Sequence, residues 1–434
     1  MNKLQAAYRA LSADQQQTLR VLSVICEPVN MTTLKQVLDT LGLQDQNNAP
    51  LSGLMTGTLR QQLLDAKLID LQQNVLSCHP DLLEPLTRET VADGSFGAIA
   101  AAAEQVVPLQ EKYSGGMQSE SKALRTLRNA LYGGYESGDQ TAALELMKRA
   151  ADTPLGQLRT AEVRCLIQIC TRPLDAAWIS GLGPRLRCMA LIPWLREASI
   201  DLEAPPDAYQ LLEQSIGPLA KTDPECANAL AEQRLLRARL DDVEPLLAGR
   251  TDTQALTLLG WLCFLRGDYA RAIAHFDNAH QTERKRTRKR NLYLPGIPGA
   301  LYLLALLRRG EPADLARVQQ QVGVCLRASV TDGIEHAYRV IGDLAGVLSG
   351  QKKRAKAYEL QHSFARRGPM TLLVRALALH WLGDNPGKDL PPSLALEADG
   401  AAALGLNWYA HEAAAVLNAF GYKGKLPAIE PAPA

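Results

Sequence analysis

From Phe96 to Tyr422 the chain runs through one apolar segment of helical period after another, joined by short turns rich in Gly, Pro and Asp. A chain patterned this way has to bury its apolar stripes by packing helix on helix. Composition agrees: aromatics are only 5% while Ala and Leu dominate, which disfavours sandwiches and barrels. Hydrophobic residues at 47% and charged residues at 21% are ordinary for folded domains, so wholesale disorder is excluded. The fold class is therefore mainly α. The 434 residues suit about three domains, or one repeat array that grows without a single core.

Residues 12 to 90 read as a compact unit of their own. Ser12 can cap a helix through Ile25, with Leu19, Val21, Leu22 and Ile25 as its apolar stripe. Thr32 or Thr33 starts a second helix holding Leu34, Val37, Leu38 and Leu41 and ended by Gly42. A third helix carries Leu54, Leu59, Leu63 and Leu64. Leu68 to Leu71 and Val75 to Cys78, separated by Gln72, Gln73 and Asn74, pattern as a short β-hairpin. Three helices and a hairpin make a winged helix, and "LIDLQQNVLSCHPDLLEPL" resembles the winged-helix module beside the nucleotide-binding domains of signalling ATPases. A DNA-reading winged helix needs a basic recognition helix. Here the third helix offers only Arg60 and Lys67, and residues 1 to 90 hold seven Lys and Arg against nine Asp and Glu. Packing or partner contact is the favoured role, with direct DNA reading as the alternative.

The sharpest internal pattern is Ala255 to His280, "ALTLLGWLCFLRGDYARAIAHFDNAH", which resembles the tetratricopeptide repeat, a helix pair of about 34 residues. Leu259 and Gly260 take the large and small positions where two helices approach, Gly267 and Asp268 make the turn, and Tyr269 opens the second helix. Ala272, Phe276 and Ala279 fall on the small, large and small positions. The pattern departs at the repeat's first tryptophan, which is Leu256 here, and at its closing proline, which is Arg284. Weaker copies start at Leu127, with Gly138 and Asp139 at the turn, and at Gly299, with Gly310. Hairpins that cannot bury themselves alone must stack, so the resemblance implies a TPR-like α-solenoid, with an unrelated globular helical domain as the alternative. The expected domains are a winged-helix-like 1–90, degenerate helical hairpins over 91–252, TPR-like repeats over 253–425 and a Pro/Ala-rich tail, 426–434.

No constellation for chemistry accompanies this architecture. There is no P-loop, no H-E-x-x-H, no G-x-S-x-G and no Rossmann glycine set, so an enzyme is not expected. No cofactor and no metal are indicated: His275 and His280, five apart on a helix, diverge by about 140°. Eight cysteines are scattered singly along apolar segments, the pattern of reduced, buried thiols. No signal peptide and no run of about 18 apolar residues occurs, so the expectation is a cytoplasmic protein with no membrane contact.

One segment breaks the pattern. Arg284, Lys285, Arg286, Arg288, Lys289 and Arg290 crowd together directly after the sharp repeat, and Lys352, Lys353, Arg354 and Lys356 form a second cluster. Residues 253 to 367 hold nineteen Lys and Arg against nine Asp and Glu, a balance of +10, whereas the whole chain is +1. In a solenoid alternate loops share an edge, which would put Arg308 and Arg309 with Lys352 to Lys356 and the main run opposite, near Arg366 and Arg367. Such density suits phosphate contact with salt-sensitive affinity. Only Tyr293 and Tyr302 lie near, so base stacking is not indicated and contact would be backbone-directed. An acidic protein partner, or a merely solvated run, are the alternatives, and a small-molecule ligand is not indicated.

The segment "RKRTRKRNLYLPGIPGALYLLALLRRGEP", with the terminal "ALGLNWYAHEAAAVLNAFGY", resembles the helical, non-catalytic N-terminal region of certain large bacterial Swi/Snf-type DNA translocases. That resemblance implies a regulatory or recruiting arm whose motor lies elsewhere, and supplies no catalytic residue here. The expected function is a non-catalytic scaffold for a nucleic-acid-processing or defence-type machine. The second reading is a protein-only adaptor or signalling sensor that binds an acidic protein or peptide.

Overall fold

The computed structural model describes residues 3–54, 58–108, 120–152, 166–201, 206–289, 291–327, 334–352 and 369–426. These are mainly helical, with one small sheet. The chain divides into two compact units, Met1–Pro193 and Trp194–Ala434.

In the first unit α1 (Lys3–Arg9) precedes α2 (Ala13–Ile25), which starts where the sequence places it. Ser12 and Gln15 form a reciprocal capping box that satisfies two backbone N–H groups the first turn leaves open. Leu19, Val21, Leu22 and Ile25 are all buried, and Cys26 closes the helix in the left-handed region. The next helix, α3 (Met31–Thr40), starts ahead of Thr32 because the Asn30 side chain, not a threonine, caps it. The expected third helix is two pieces, α4 (Leu51–Leu54) and α5 (Thr58–Asp65).

The hairpin is present as β2 (Ile69–Gln72) and β3 (Val75–Cys78), its turn shortened to Gln73 and Asn74, both at positive φ, as a two-residue turn matched to strand twist requires. The sequence pattern does not reveal β1 (Val29–Asn30), which pairs antiparallel with β3 to give the order β1-β3-β2. Two residues are too short to show an alternation.

Buried charge binds the helices after the hairpin to those before it. After α6 (Pro80–Ala92) and α7 (Phe96–Val106) come α8 (Glu120–Ser137), α9 (Thr141–Asp152) and α10 (Ala176–Gly181), and α11 (Pro184–Asp201) contains the boundary at Pro193. Arg128 of α8, 1% exposed, pairs with the equally buried Glu84 of α6 and donates to Ser23 O at 3.0 Å; Tyr132 donates to the other Glu84 oxygen at 2.6 Å. Arg125 pairs with Glu27 at 3.1 Å and Glu104 at 2.8 Å. Arg88 donates to Ile169 O at 2.6 Å and to Pro173 O at 3.0 Å while lying over Trp178. Buried cations need acceptors on every face; here the acceptors come from both sides of residue 90.

The second unit holds α12 (Pro206–Ile216), α13 (Pro224–Leu236), α14 (Glu244–Leu247), α15 (Thr253–Leu265), α16 (Tyr269–Thr287), α17 (Gly296–Arg309), α18 (Pro312–Arg327), α19 (Glu335–Leu348), α20 (Pro369–Leu382), α21 (Leu390–Ala403) and α22 (Asn407–Ala419). The sharp sequence window is an α15–α16 hairpin, capped by Asp252 and Asp268, with Gly267 at φ +77° in the turn. Gly260 is where the helices touch: a Cβ there would lie 2.8 Å from the Phe276 ring. Ala272, Phe276 and Ala279 are completely buried.

Successive helices pack in order, α15 on α16, α18 on α19 and α21 on α22. A linear stack would stop at such neighbour contacts. Instead α22 packs against α13, and Trp408 of α22 meets Trp261 of α15 edge-on at 6.4 Å, so one continuous core runs from Ala231 to Leu417.

Candidate functional site

The main basic run is the end of a helix and not a loop. Helix α16 continues to Thr287, so Arg284, Lys285 and Arg286 form its last turn, where cations complement the negative end of the helix dipole. Arg288 takes φ +56° and closes the helix, its N–H donating to Arg284 O at 2.8 Å. Lys289 comes next, and Arg290 lies outside the described residues. All five described cations are exposed. Arg286 pairs with Glu283, which holds that carboxyl below its ordinary range. Arg284, Lys285, Arg288 and Lys289 have no ion-pair partner among the described residues.

The run is fixed at both ends. On the helix side, Asp277 accepts from Tyr302 Oη at 2.7 Å and from Arg317 Nη1 at 3.1 Å. His280 packs on Tyr302, and burial, followed by the charges of Arg317 and Arg284, pushes its imidazole down to about 4, so it stays neutral. Beyond the run, Tyr338 Oη donates to Gly296 O at 2.8 Å and Leu294 O at 3.2 Å, tying the segment after Lys289 to α19. A Cβ at Gly299 would collide with both Leu294 O and the Tyr338 hydroxyl, so only glycine lets this loop close.

The remaining cations of the expected site are placed differently. Arg309 makes a two-pronged pair with Asp314, at 2.6 Å from Nε and 2.7 Å from Nη2, and that carboxylate is 4% exposed. Lys352 pairs with Asp343. Both act as internal ties. Lys353, Arg354, Lys356, Arg366 and Arg367 lie outside the described residues.

Arg308 is the larger departure, because it points into the unit instead of lining an edge. Its guanidinium lies 4.7 Å from the Tyr269 ring, 5.3 Å from Phe264 and 5.5 Å from Trp381, and it reaches Glu412 of α22 at 3.4 Å. The side chain is only 21% exposed. Beside it opens a cleft of about 440 Å³ lined by Tyr269, Arg308, Leu377, His380, Trp381, Glu412, Ala415 and Val416. No sequence signal leads to this arrangement: Arg308 has the pattern of half of a surface Arg-Arg pair, and Glu412 lies 104 residues away within an apolar helix.

Elsewhere, the seven described cysteines are all free and all but Cys26 are buried; Cys165 lies outside the described residues. Among the described residues no group of His, Cys, Asp and Glu is arranged to hold a metal ion, and no helix is long and apolar enough to cross a membrane. No protein-family model, curated protein or solved structure matches the chain.

Proposed function

We propose that this chain is a non-catalytic, cytoplasmic binding scaffold. In this reading a winged-helix-like module leads into TPR-like helical hairpins, and the end of α16 holds a nucleic-acid backbone on behalf of a helicase, translocase or defence-type machine. One observation carries it: four cations, Arg284, Lys285, Arg288 and Lys289, stand exposed within six positions, without ion-pair partners among the described residues, on a helix end anchored from both sides. A fixed cluster of unneutralised cations gains most from a polyanion that releases counterions. The N-terminal module is not the reader, since its α5 region offers only the half-buried Arg60 and the exposed Lys67. Tyr302 is 1% exposed and Tyr293 half-buried, so neither is an open stacking platform among the described residues, which favours contact without sequence preference.

The test is fluorescence anisotropy of the full chain with short duplex and single-stranded DNA over a salt series. Four neutralised phosphates give a slope near −0.9 per contact, so affinity falls roughly a hundredfold between about 50 and 200 mM salt. Replacing Arg284, Lys285, Arg288 and Lys289 by Gln abolishes it. Absence of binding at low salt would falsify the proposal. The same lack of a stacking surface favours a second reading, an acidic protein or peptide as partner, which is supported instead if DNA fails and an acidic peptide binds through these four residues.

A further inference from the structure

The Arg308 cleft takes no part in polyanion contact at the end of α16, and its chemistry is different. A guanidinium carries five N–H donors in a planar fork. Arg308 gives one, from Nη2, to Glu412 Oε2 at 3.4 Å, near the limit of a hydrogen bond, while its Nε–H is shielded from solvent without an acceptor. Arg309, next in the chain, shows a satisfied fork in its two short bonds to Asp314. Arg308 is thus a mostly buried cation whose fork is incompletely matched, braced by three aromatic rings on the wall of a cleft of about 440 Å³.

The remaining walls are mostly apolar, from Leu377 and Trp381 of α20 and Ala415 and Val416 of α22, with His380 exposed beside them. A braced guanidinium beside Glu412, facing mostly apolar walls in a volume of this size, is the make-up of a small-molecule site. The fork selects a carboxylate, which can meet two N–H groups side by side. Glu412 meets one nitrogen, Nη2, and no second.

We propose that the cleft between α17, α20 and α22 binds a small monocarboxylate with an apolar or aromatic body. Arg308 supplies the fork, Leu377 and Trp381 the walls, and Glu412 is an internal competitor that the ligand displaces. The experiment is isothermal titration of the full chain with 3-phenylpropionate, against 3-phenylpropanol and inorganic phosphate at constant ionic strength. The acid binds saturably, and the alcohol and phosphate bind at least about tenfold more weakly.

Arg308→Gln weakens the acid at least about tenfold. Glu412→Gln, which keeps the side chain's size and removes the competing charge, tightens it severalfold; a merely structural Arg308–Glu412 brace gives no such gain. The second variant keeps the test decisive if the first fails to fold. The proposal is overturned if neither the natural chain nor Glu412→Gln gives saturable heat at about 10 mM acid. It is equally overturned if phosphate binds as tightly as the acid, or if Glu412→Gln does not tighten binding.

Discussion

Glu84 and Arg128 in the first unit offer the sharpest test of how it is held together. Both side chains are 1% exposed, and between them they engage Ser23 O, the Thr87 hydroxyl and the Tyr132 hydroxyl. Glu84→Leu strands a guanidinium and Arg128→Met strands a carboxylate, each in a site closed to solvent. Removing one partner of a buried pair destabilises by about 3–5 kcal/mol. The double variant leaves no stranded charge. It gives up the hydrogen bonds to Ser23 O and from Tyr132, about 1–3 kcal/mol, partly offset by the apolar surface it buries. The cycle should therefore show a coupling of about 3 kcal/mol or more, with the double variant more stable than either single one. For a unit of this size each single substitution lowers the midpoint by roughly 6–20 °C. Thermal melts followed by circular dichroism, together with hydrogen exchange of α6 and α8, report it. If the double variant loses as much as the two single variants combined, the charges do not act as a pair and the reasoning fails.

Other outcomes concern single sites. Arg309→Ala removes the two-pronged pair with Asp314 and should cost about 1.5–3 kcal/mol in urea denaturation, while polyanion affinity in anisotropy stays unchanged. Gly260→Val drives a branched side chain into the Phe276 ring and should destabilise the second unit by about 1–3 kcal/mol; unchanged stability would mean that α15 and α16 are not in close contact. Glu397 is half-buried, and burial pushes its carboxyl up to about 7 against a smaller opposing effect from the Tyr409 hydroxyl, which donates at 3.0 Å. An acid raised in the folded state makes folding take up a proton, so stability is highest below the ordinary Glu range and falls as pH rises through 7. Glu397→Gln should flatten that decline and stabilise the chain at pH 8 by on the order of 1–2 kcal/mol, seen as a pH series of melting midpoints.

Local instructions were legible. Ser12 with Gln15 begins α2 where expected, and the sequence window from Ala255 folds as a hairpin with Gly267 in its turn and Gly260 against Phe276. Each of these depends on residues within a turn or one hairpin of each other, where period, cap and φ preference act directly. The charge excess was legible as well, and among the described residues Arg284, Lys285, Arg288 and Lys289 of its first cluster are exposed cations without ion-pair partners.

Tertiary structure decided what the remaining charges do. Nothing near Arg308 in the chain distinguishes it from Arg309, yet one enters an aromatic cage facing Glu412 and the other is tied to Asp314 five residues on. In the same way Arg125 and Arg128 join α8 to residues before Ala92. Sequence alone determined that the chain is mainly helical and where α2 and the α15–α16 hairpin begin, because those choices are made between near neighbours. Which helices meet, and so which cations are buried, was decided by contacts between residues about a hundred positions apart, which no local period records.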